Sequence, residues 1–278
     1  MPKDIFEEIV ELRSKRIPAS LATIIAHNGA TPRKDAAKML ICADGRQIGT
    51  IGGGSIEADV RREAQDIMKA GIAKLMTFDL KSVDPEERAL ICGGFMEVYV
   101  EPILPDPILF LFGAGHVSKA LAEVSKFIGF KIAVIDDRAT YANPERFPNA
   151  DAFYIDSWEE ALKKMSVSEM DFIFIATRSH QFDLICLRFA LQSKAKYIGM
   201  LGSLKKTRTL FELLEKEGAD SSNLGRVCVP VGFDIGSETP EEIAISIAAE
   251  MIAARKNFDL RPLKDAVSRS KRNIPPAS

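Results

Sequence analysis

The chain of 278 residues carries 37 Lys and Arg against 39 Asp and Glu, a formal net charge of −2, and 46% of its residues are hydrophobic. This length favours two domains, and the near balance of charge argues against a general nucleic-acid or anionic-membrane binder, which would carry a basic excess. No apolar run approaches the length needed to span a membrane, and the N-terminus lacks the apolar core of a signal peptide. The four cysteines show no paired short spacing, which argues against a disulfide framework or a zinc ribbon. We therefore expect a cytoplasmic protein.

The N-terminal part of the chain, residues 1–104, is predicted to form a small α+β domain. Hydrophobic periodicity and turn residues predict its elements in chain order: a helix over 3–16, strands over 20–27, 39–42 and 47–51, a helix that opens after 52–55 and runs to about 69, and strands over 73–78 and 95–101. Three prolines in the segment 101–107 rigidify the chain and break strand pairing, so we expect the domain linker there.

Strands and helices alternate over residues 105–278. The apolar runs predict strands over 108–112, 131–135, 152–155, 172–176 and 196–200, with a sixth candidate over 226–229. Such alternation is typical of parallel strands joined by right-handed crossovers. The predicted fold class is therefore α/β, a Rossmann-type doubly wound parallel sheet preceded by the smaller α+β domain. Ligands of such sheets bind beyond the carboxyl ends of the strands, where the strand order reverses.

A glycine-rich turn follows the first strand of this second domain. Gly113 and Gly115 allow a tight turn and a close approach of the backbone to a phosphate, and His116 stands where the next helix begins with free N–H groups. Asp136 and Asp137 follow the second strand at about the spacing at which an acid binds ribose hydroxyls, which favours NAD or adenosine over a 2′-phosphate, although Arg138 next to them leaves that choice open. These residues predict a nucleotide site; the alternative is a tight turn that binds nothing.

Two more loops are expected at the same edge of the sheet. Thr177 and His180 follow the fourth strand, and Gly202 and Ser203 follow the fifth, where they are joined by basic residues at a helix start. A glycine, hydroxyl groups and cations at that place suit an anion, although an ordinary helix cap with a solvated basic turn has the same composition. A metal site formed by the two histidines and Asp183 is the less favoured interpretation, because a histidine on a loop more often serves as a hydrogen-bonding residue.

The N-terminal domain has a glycine turn of its own between a strand and a helix. Its candidate residues are Gly52, Gly53, Gly54, Ser55 and Glu57. Successive N–H groups of such a turn can form an anion nest, whereas Glu57 can simply complement the helix dipole. Cys92 and Gly93, before the last strand, and the turn 29–34 are further candidates. The hypothesis is an anion or cofactor site, and the alternative is a set of structural turns.

Taken together and in this order, the segments resemble those of the XdhC/CoxI family, the accessory factors of molybdenum hydroxylases such as xanthine dehydrogenase. Any single motif is weak, but the ordered set spans nearly the whole chain and is specific. The matching segments are Gly29–Arg33, Gly52–Glu57, Cys92–Pro102, Gly113–Val117, Asp136–Arg138, Arg146–Pro148, Gly199–Ser203, Gly232–Gly236 and Thr239–Ala244.

The resemblance implies a chaperone of the molybdenum cofactor. Such a protein holds molybdopterin, supports the exchange of an oxo for a sulfido ligand on the metal, and inserts the cofactor into a xanthine dehydrogenase-type apo-enzyme; a cysteine desulfurase as a second partner and a homodimer are further expectations. Cys92 matches a family cysteine and is the expected thiolate ligand of the soft metal. Ser55 departs from the family pattern, in which many members have a cysteine, and its hydroxyl cannot carry persulfide sulfur.

Two alternatives share the predicted fold. One is an NAD(P)-dependent oxidoreductase, which the fold alone permits but for which the sequence shows no convincing Lys/Tyr or His/Asp constellation for hydride transfer. The other is a nucleotide-sensing regulatory paralogue, whose Rossmann domain binds NAD or an adenine nucleotide while the first domain binds a partner. A cofactor-binding maturation factor is favoured over a turnover enzyme.

Overall fold

The computed structural model describes residues 4–28, 36–79 and 94–258. The chain divides into two compact units, Met1–Asp106 and Pro107–Ser278. The boundary between them lies two residues beyond the predicted one, which was placed after residue 104. Among the described helices, none is both long enough and apolar enough to cross a membrane.

The first unit is built on an antiparallel sheet of five strands. Its elements are α1 (Ile5–Ser14), β1 (Ala19–Asn28), β2 (Lys38–Cys42), β3 (Gln47–Gly49), α2 (Gly54–Ala70), β4 (Lys74–Asp79) and β5 (Phe95–Ile103). The strand order is β3-β2-β1-β5-β4. Helix α2 covers one face of this sheet, because its apolar residues Val60, Ala64 and Ile67 recur at helical spacing and pack on Met96 and Val98 of the inner strand β5.

Strand β5 is longer than predicted. It continues through Pro102 to Ile103, and both residues pair with β1, so the expectation that the prolines break pairing from residue 101 onward is wrong for this stretch. The physical reason is that β4 pairs with β5 only as far as Val100. Beyond that residue β5 has a neighbour on one side only, and a proline without an N–H is tolerated in such an edge position.

The second unit confirms the predicted fold class. Its elements are β6 (Ile108–Phe112), α3 (His116–Phe127), β7 (Lys131–Ile135), β8 (Ala152–Tyr154), α4 (Trp158–Lys163), β9 (Phe172–Ile175), α5 (His180–Gln192), β10 (Tyr197–Met200), α6 (Leu204–Lys216), α7 (Ser221–Leu224), β11 (Val227–Cys228) and α8 (Pro240–Lys256). The six strands are parallel in the order β11-β10-β9-β6-β7-β8. If β6 is taken as the first strand, the order read from β8 to β11 is 3-2-1-4-5-6, which is the Rossmann order. The direction of strand addition reverses between β6 and β9.

Apolar side chains cover both faces of the second sheet. In β6, Phe110 and Phe112 belong to the cluster on one face, whereas Leu109 and Leu111 belong to the cluster on the other. All four are buried, as the unbroken apolar run predicts for a strand between two helical layers. The core therefore fixes the carboxyl ends of β7, β6 and β9 side by side, and the loops that follow them form the candidate site.

Candidate functional site

The turn after β6 contains two glycines with different tasks. Gly113 has a φ of +105°, and a Cβ added there would lie 2.2 Å from the carbonyl oxygen of Ala176, at the end of β9. Gly115 caps α3, and a Cβ added to it would meet nothing within 4 Å. Gly113 therefore packs the turn against the neighbouring strand, while Gly115 faces open space in which a ligand can approach the backbone.

The helix start beyond this turn has one exposed and one buried polar residue. His116 is the first residue of α3 and its side chain is exposed. Ser118 is fully buried, and its hydroxyl oxygen has no hydrogen-bond partner among the described residues. A small side chain at this position lets the helix pack closely on the sheet, which is the task of the third glycine in the Rossmann fingerprint.

Asp136 lies directly beneath the turn and is only 2% exposed. Its Oδ2 accepts hydrogen bonds from the Ala114 N–H (2.9 Å) and from Arg138 Nη2 (3.0 Å), and its Oδ1 accepts from the Arg138 N–H (3.1 Å) and Nε (2.8 Å). Burial alone would raise the pKa of Asp136, but the bonds from Arg138 and Ala114 hold that pKa below its ordinary value. This carboxylate is thus ionised and shapes the turn from within the protein.

An ion pair spans the crevice above β6. Arg178, in the loop after β9, donates from Nη1 and Nη2 to the two oxygens of Asp137, which follows β7, at 2.7 Å each. Because β7 and β9 flank β6, this pair bridges the two sides of the strand that leads into the glycine turn. The Arg178 guanidinium also lies 4.7 Å from the centre of the Phe182 ring. Asp137 was a candidate from the sequence but its partner was not, because the two residues meet only in the folded sheet.

Two further arginines flank Tyr141 beside the turn: Arg138, which the sequence brought into the choice of nucleotide, and Arg146, which was not a candidate for this crevice. The guanidinium carbons of Arg138 and Arg146 lie 3.8 Å and 4.9 Å from the centre of the Tyr141 ring. Arg146 Nη2 lies 3.3 Å from the carbonyl oxygen of Ala114, within hydrogen-bond distance. Its Nε is buried and has no hydrogen-bond partner among the described residues.

The other loops at this edge use most of their polar groups internally. The Thr177 hydroxyl donates to Asp183 Oδ1 at 2.7 Å, and Asp183 Oδ2 lies 2.5 Å from Lys206 Nζ. Ser203 caps α6 and Gly202 precedes it, as the alternative interpretation of a helix cap expects. His180 is exposed at the start of α5. Within the described parts of the chain no three His, Cys, Asp or Glu residues are grouped so that they could hold a metal ion.

The glycine turn of the first unit encloses a carboxylate of its own. Glu57 is buried, and its Oε1 accepts hydrogen bonds from the Ile51 N–H (3.0 Å), the Gly53 N–H (3.1 Å) and the Thr50 hydroxyl (2.5 Å). Burial tends to raise the pKa of Glu57, but these bonds, together with one from a glutamine side chain, lower it. The nest expected for a ligand anion is therefore filled by Glu57 itself.

The rest of that turn points outward. Gly53, Gly54 and Ser55 are exposed, and Gly52, Gly53 and Gly54 all have positive φ, between +69° and +130°. This run needs glycine, since L side chains rarely adopt such angles. Cys92, Gly93 and the turn 29–34, which are also candidates from the sequence, lie outside the described residues.

The environment of Asp136 leads to a prediction about pH. We expect Asp136→Asn to lower the free energy of unfolding of the second unit by about 2 kcal/mol at pH 7, because an amide cannot replace the carboxylate between Ala114 and Arg138. The folded-state pKa lies below the unfolded value of about 3.9. The stabilisation is thus present above about pH 4 and is lost as the pH falls through the folded-state pKa. The difference in free energy of unfolding between wild type and Asp136→Asn should therefore become smaller as the pH is lowered below about 4.

Urea unfolding followed by the fluorescence of Trp158, the single tryptophan of the chain, measures this difference in the second unit. Asp156→Asn is the control, since Asp156 pairs with Lys164 on the surface and its loss should cost less than about 0.5 kcal/mol. A difference for Asp136→Asn that stays constant from pH 7 to pH 3 would contradict the buried ion pair.

Comparison with known proteins gives consistent matches for both units. Residues 12–79 match the sequence profile of the XdhC and CoxI family, and residues 109–251 match the profile of the XdhC Rossmann domain. The chain is 33% identical, over 91% of its length, to an uncharacterised protein of Escherichia coli K12, YqeB, and spans 47% of that protein. It is 26% identical to a Bacillus subtilis protein named as a probable subunit of xanthine dehydrogenase, over 86% of this chain and 93% of the relative.

A solved structure shows the same likeness. The crystal structure of a xanthine dehydrogenase from Bacillus halodurans aligns with a TM-score of 0.51 at 26% identity, covering 91% of this chain and 96% of the other. Both units of the present chain are therefore similar to one solved chain of nearly the same extent.

Proposed function

Because the chain belongs to the XdhC and CoxI family, we propose that it is an accessory protein of a xanthine dehydrogenase-type molybdenum hydroxylase. In this role it binds the molybdenum cofactor in the cytoplasm as a homodimer, supports the sulfuration of the cofactor with sulfur from a cysteine desulfurase, and inserts it into the apo-enzyme. The observation that carries the proposal is that the two family matches cover both units in chain order, and a relative named for xanthine dehydrogenase spans the same extent.

The donor groups of the first unit decide how the cofactor would be held there. Molybdopterin presents a phosphate and a soft metal bound by sulfur, which prefers a thiolate. Glu57 takes the N–H groups of Ile51 and Gly53, so the phosphate would have to be bound by the exposed residues Gly54 and Ser55. Ser55 offers a hydroxyl in place of the family cysteine, which leaves Cys92 as the thiolate that would contact the metal.

The experiment is to measure molybdenum content and, after acid oxidation, pterin fluorescence of the purified protein. We expect near-stoichiometric cofactor in the wild type and a loss of most of it in Cys92→Ser. Cys228→Ser is the matched control, because burial and the neighbouring Glu250 raise the pKa of Cys228 to about 11 and keep it a protonated thiol, a poor metal ligand. A folded wild type without molybdenum or pterin would refute the proposal, and equal retention in Cys92→Ser would remove the thiolate role alone.

A second function is favoured by the geometry of the second unit. The Rossmann strand order, the open space at Gly115 and the start of α3 support the binding of a nucleotide at the crevice, as a sensor or as an NAD(P) site. Nucleotide binding without turnover supports the sensor, whereas oxidation or reduction of a bound nicotinamide nucleotide supports the oxidoreductase. This crevice and the proposed cofactor contacts belong to different units, so the two functions can be tested one at a time.

A further inference from the structure

The acid that normally holds a free ribose is already saturated in this crevice. A carboxylate has about four acceptor positions, and each oxygen of Asp136 receives two donors, from Ala114 and Arg138. A ribose diol could bind to Asp136 only by displacing one of these bonds. The neighbouring Asp137 is paired with Arg178 through both of its oxygens, but each oxygen receives only this one described donor, so Asp137 keeps some acceptor capacity. Asp136, which directly follows β7, therefore offers no ready acceptor to ribose hydroxyls, and the charge of Asp137 is already neutralised by Arg178.

The same place is rich in guanidinium groups. Arg138 binds Asp136 through Nε and Nη2, which leaves Nη1 without a partner among the described residues, and its side chain is 31% exposed. Arg146 reaches the turn at Ala114, and its buried Nε has no partner within the described part of the chain. With Arg178, these arginines outnumber the two carboxylates, so the site retains one positive charge. A phosphate oxygen satisfies such donors, whereas a hydroxyl satisfies them poorly.

We propose that the crevice selects a nucleotide that carries a phosphate on its ribose, of the 2′-phosphoadenosine class represented by NADP(H), over one with a free ribose diol. Arg138 is the main determinant: it occupies Asp136 and presents its remaining guanidinium edge where the ribose lies in a Rossmann site. Tyr141 supports Arg138 from one side, and Arg146 adds a second cation next to the turn. This inference rests on the proposal that the second unit binds a nucleotide, and it is independent of the molybdenum cofactor.

The test compares ligands that differ by one phosphate. Calorimetric titration of the full chain with 2′,5′-ADP and 5′-AMP, and with NADPH and NADH, should give about tenfold or tighter binding of the 2′-phosphorylated member of each pair, since a charge-assisted arginine–phosphate contact contributes about 1.4 kcal/mol or more. In Arg138→Gln the phosphate loses its ligand and Asp136 becomes free to accept from the diol, so the preference should disappear or turn towards NADH.

Arg188→Gln is the matched control, because Arg188 makes the same forked contact with a carboxylate, Glu217, on the surface of the same unit. It should leave the preference unchanged, and circular dichroism verifies that both variants are folded. If no nucleotide binds, the nucleotide proposal fails and this inference with it. If the members of each pair bind equally, or if 3′,5′-ADP binds as tightly as 2′,5′-ADP, the crevice binds nucleotides or anions without discriminating the 2′-phosphate. That result would overturn this inference but not the proposal that the second unit binds a nucleotide.

Discussion

Replacing Gly113 with alanine should lower the free energy of unfolding of the second unit by about 4 kcal/mol, which is most of the stability of a domain at the lower end of the ordinary range. Two costs add up. A side chain at φ +105° strains the backbone, and the new Cβ would overlap the Ala176 carbonyl at the end of β9. The Ala176 carbonyl cannot move away from the new Cβ, because the N–H of Ala176 donates a hydrogen bond to the carbonyl oxygen of Phe112 in β6.

Gly115→Ala is the matched control for this change, since its Cβ would enter open space and Gly115 has a negative φ of −76°. Unfolding in urea, followed through Trp158, should place Gly115→Ala close to wild type and Gly113→Ala far below it. Bulky Gly115→Val should remain folded yet lose nucleotide binding, because its side chain fills the approach to the turn. A Gly113→Ala protein whose melting temperature stays within about 2 °C of wild type would show that the turn does not pack as described.

Glu57→Ala should lower the free energy of unfolding of the first unit by about 3 kcal/mol. The change leaves the N–H groups of Ile51 and Gly53 and the hydroxyl of Thr50 without their common acceptor in a partly buried turn. We also expect the turn to lose its shape, because three glycines with positive φ have little intrinsic preference for one conformation.

Hydrogen exchange of the peptides that cover residues 47–60 reports this loss directly. Asp59→Ala is the control on the same helix, where an exposed pair with Arg62 is removed at a cost of less than about 0.5 kcal/mol. Exchange rates that are equal in Glu57→Ala and Asp59→Ala would mean that the buried carboxylate does not organise the turn.

Contacts between sequence neighbours were largely predictable. The apolar run 108–112 became β6 with the same bounds, and the glycines after it fell at the strand-to-helix turn, since both follow from local pattern and the geometry of glycine. At the start of α8, Thr239 and Glu242 form a capping box, for which the spacing of a threonine and a glutamate three positions apart is a recognisable signal. In each case the deciding residues lie within a few positions of one another, so the local structure can be predicted from the sequence alone.

Contacts set by the folded sheet were not predictable from the sequence. Arg178 and Asp137 are 41 positions apart and meet because β7 and β9 flank β6. Glu57 illustrates a subtler limit: an acid in the first turn of a helix was expected, but whether it faces solvent, a ligand or its own turn depends on the path of the chain before the helix. The continuation of β5 through Pro102 required knowing where β4 stops pairing.

The hydrogen bonds described around each turn have separate origins. Those at Gly113 and Ala114 come from residues between 135 and 146, whereas those to Glu57 come from residues between 47 and 53. The residue at position 55 therefore takes part in none of the hydrogen bonds described at the Gly113 turn. The two turns can therefore change independently in evolution, because the residues that shape each of them are encoded in different stretches of the same gene.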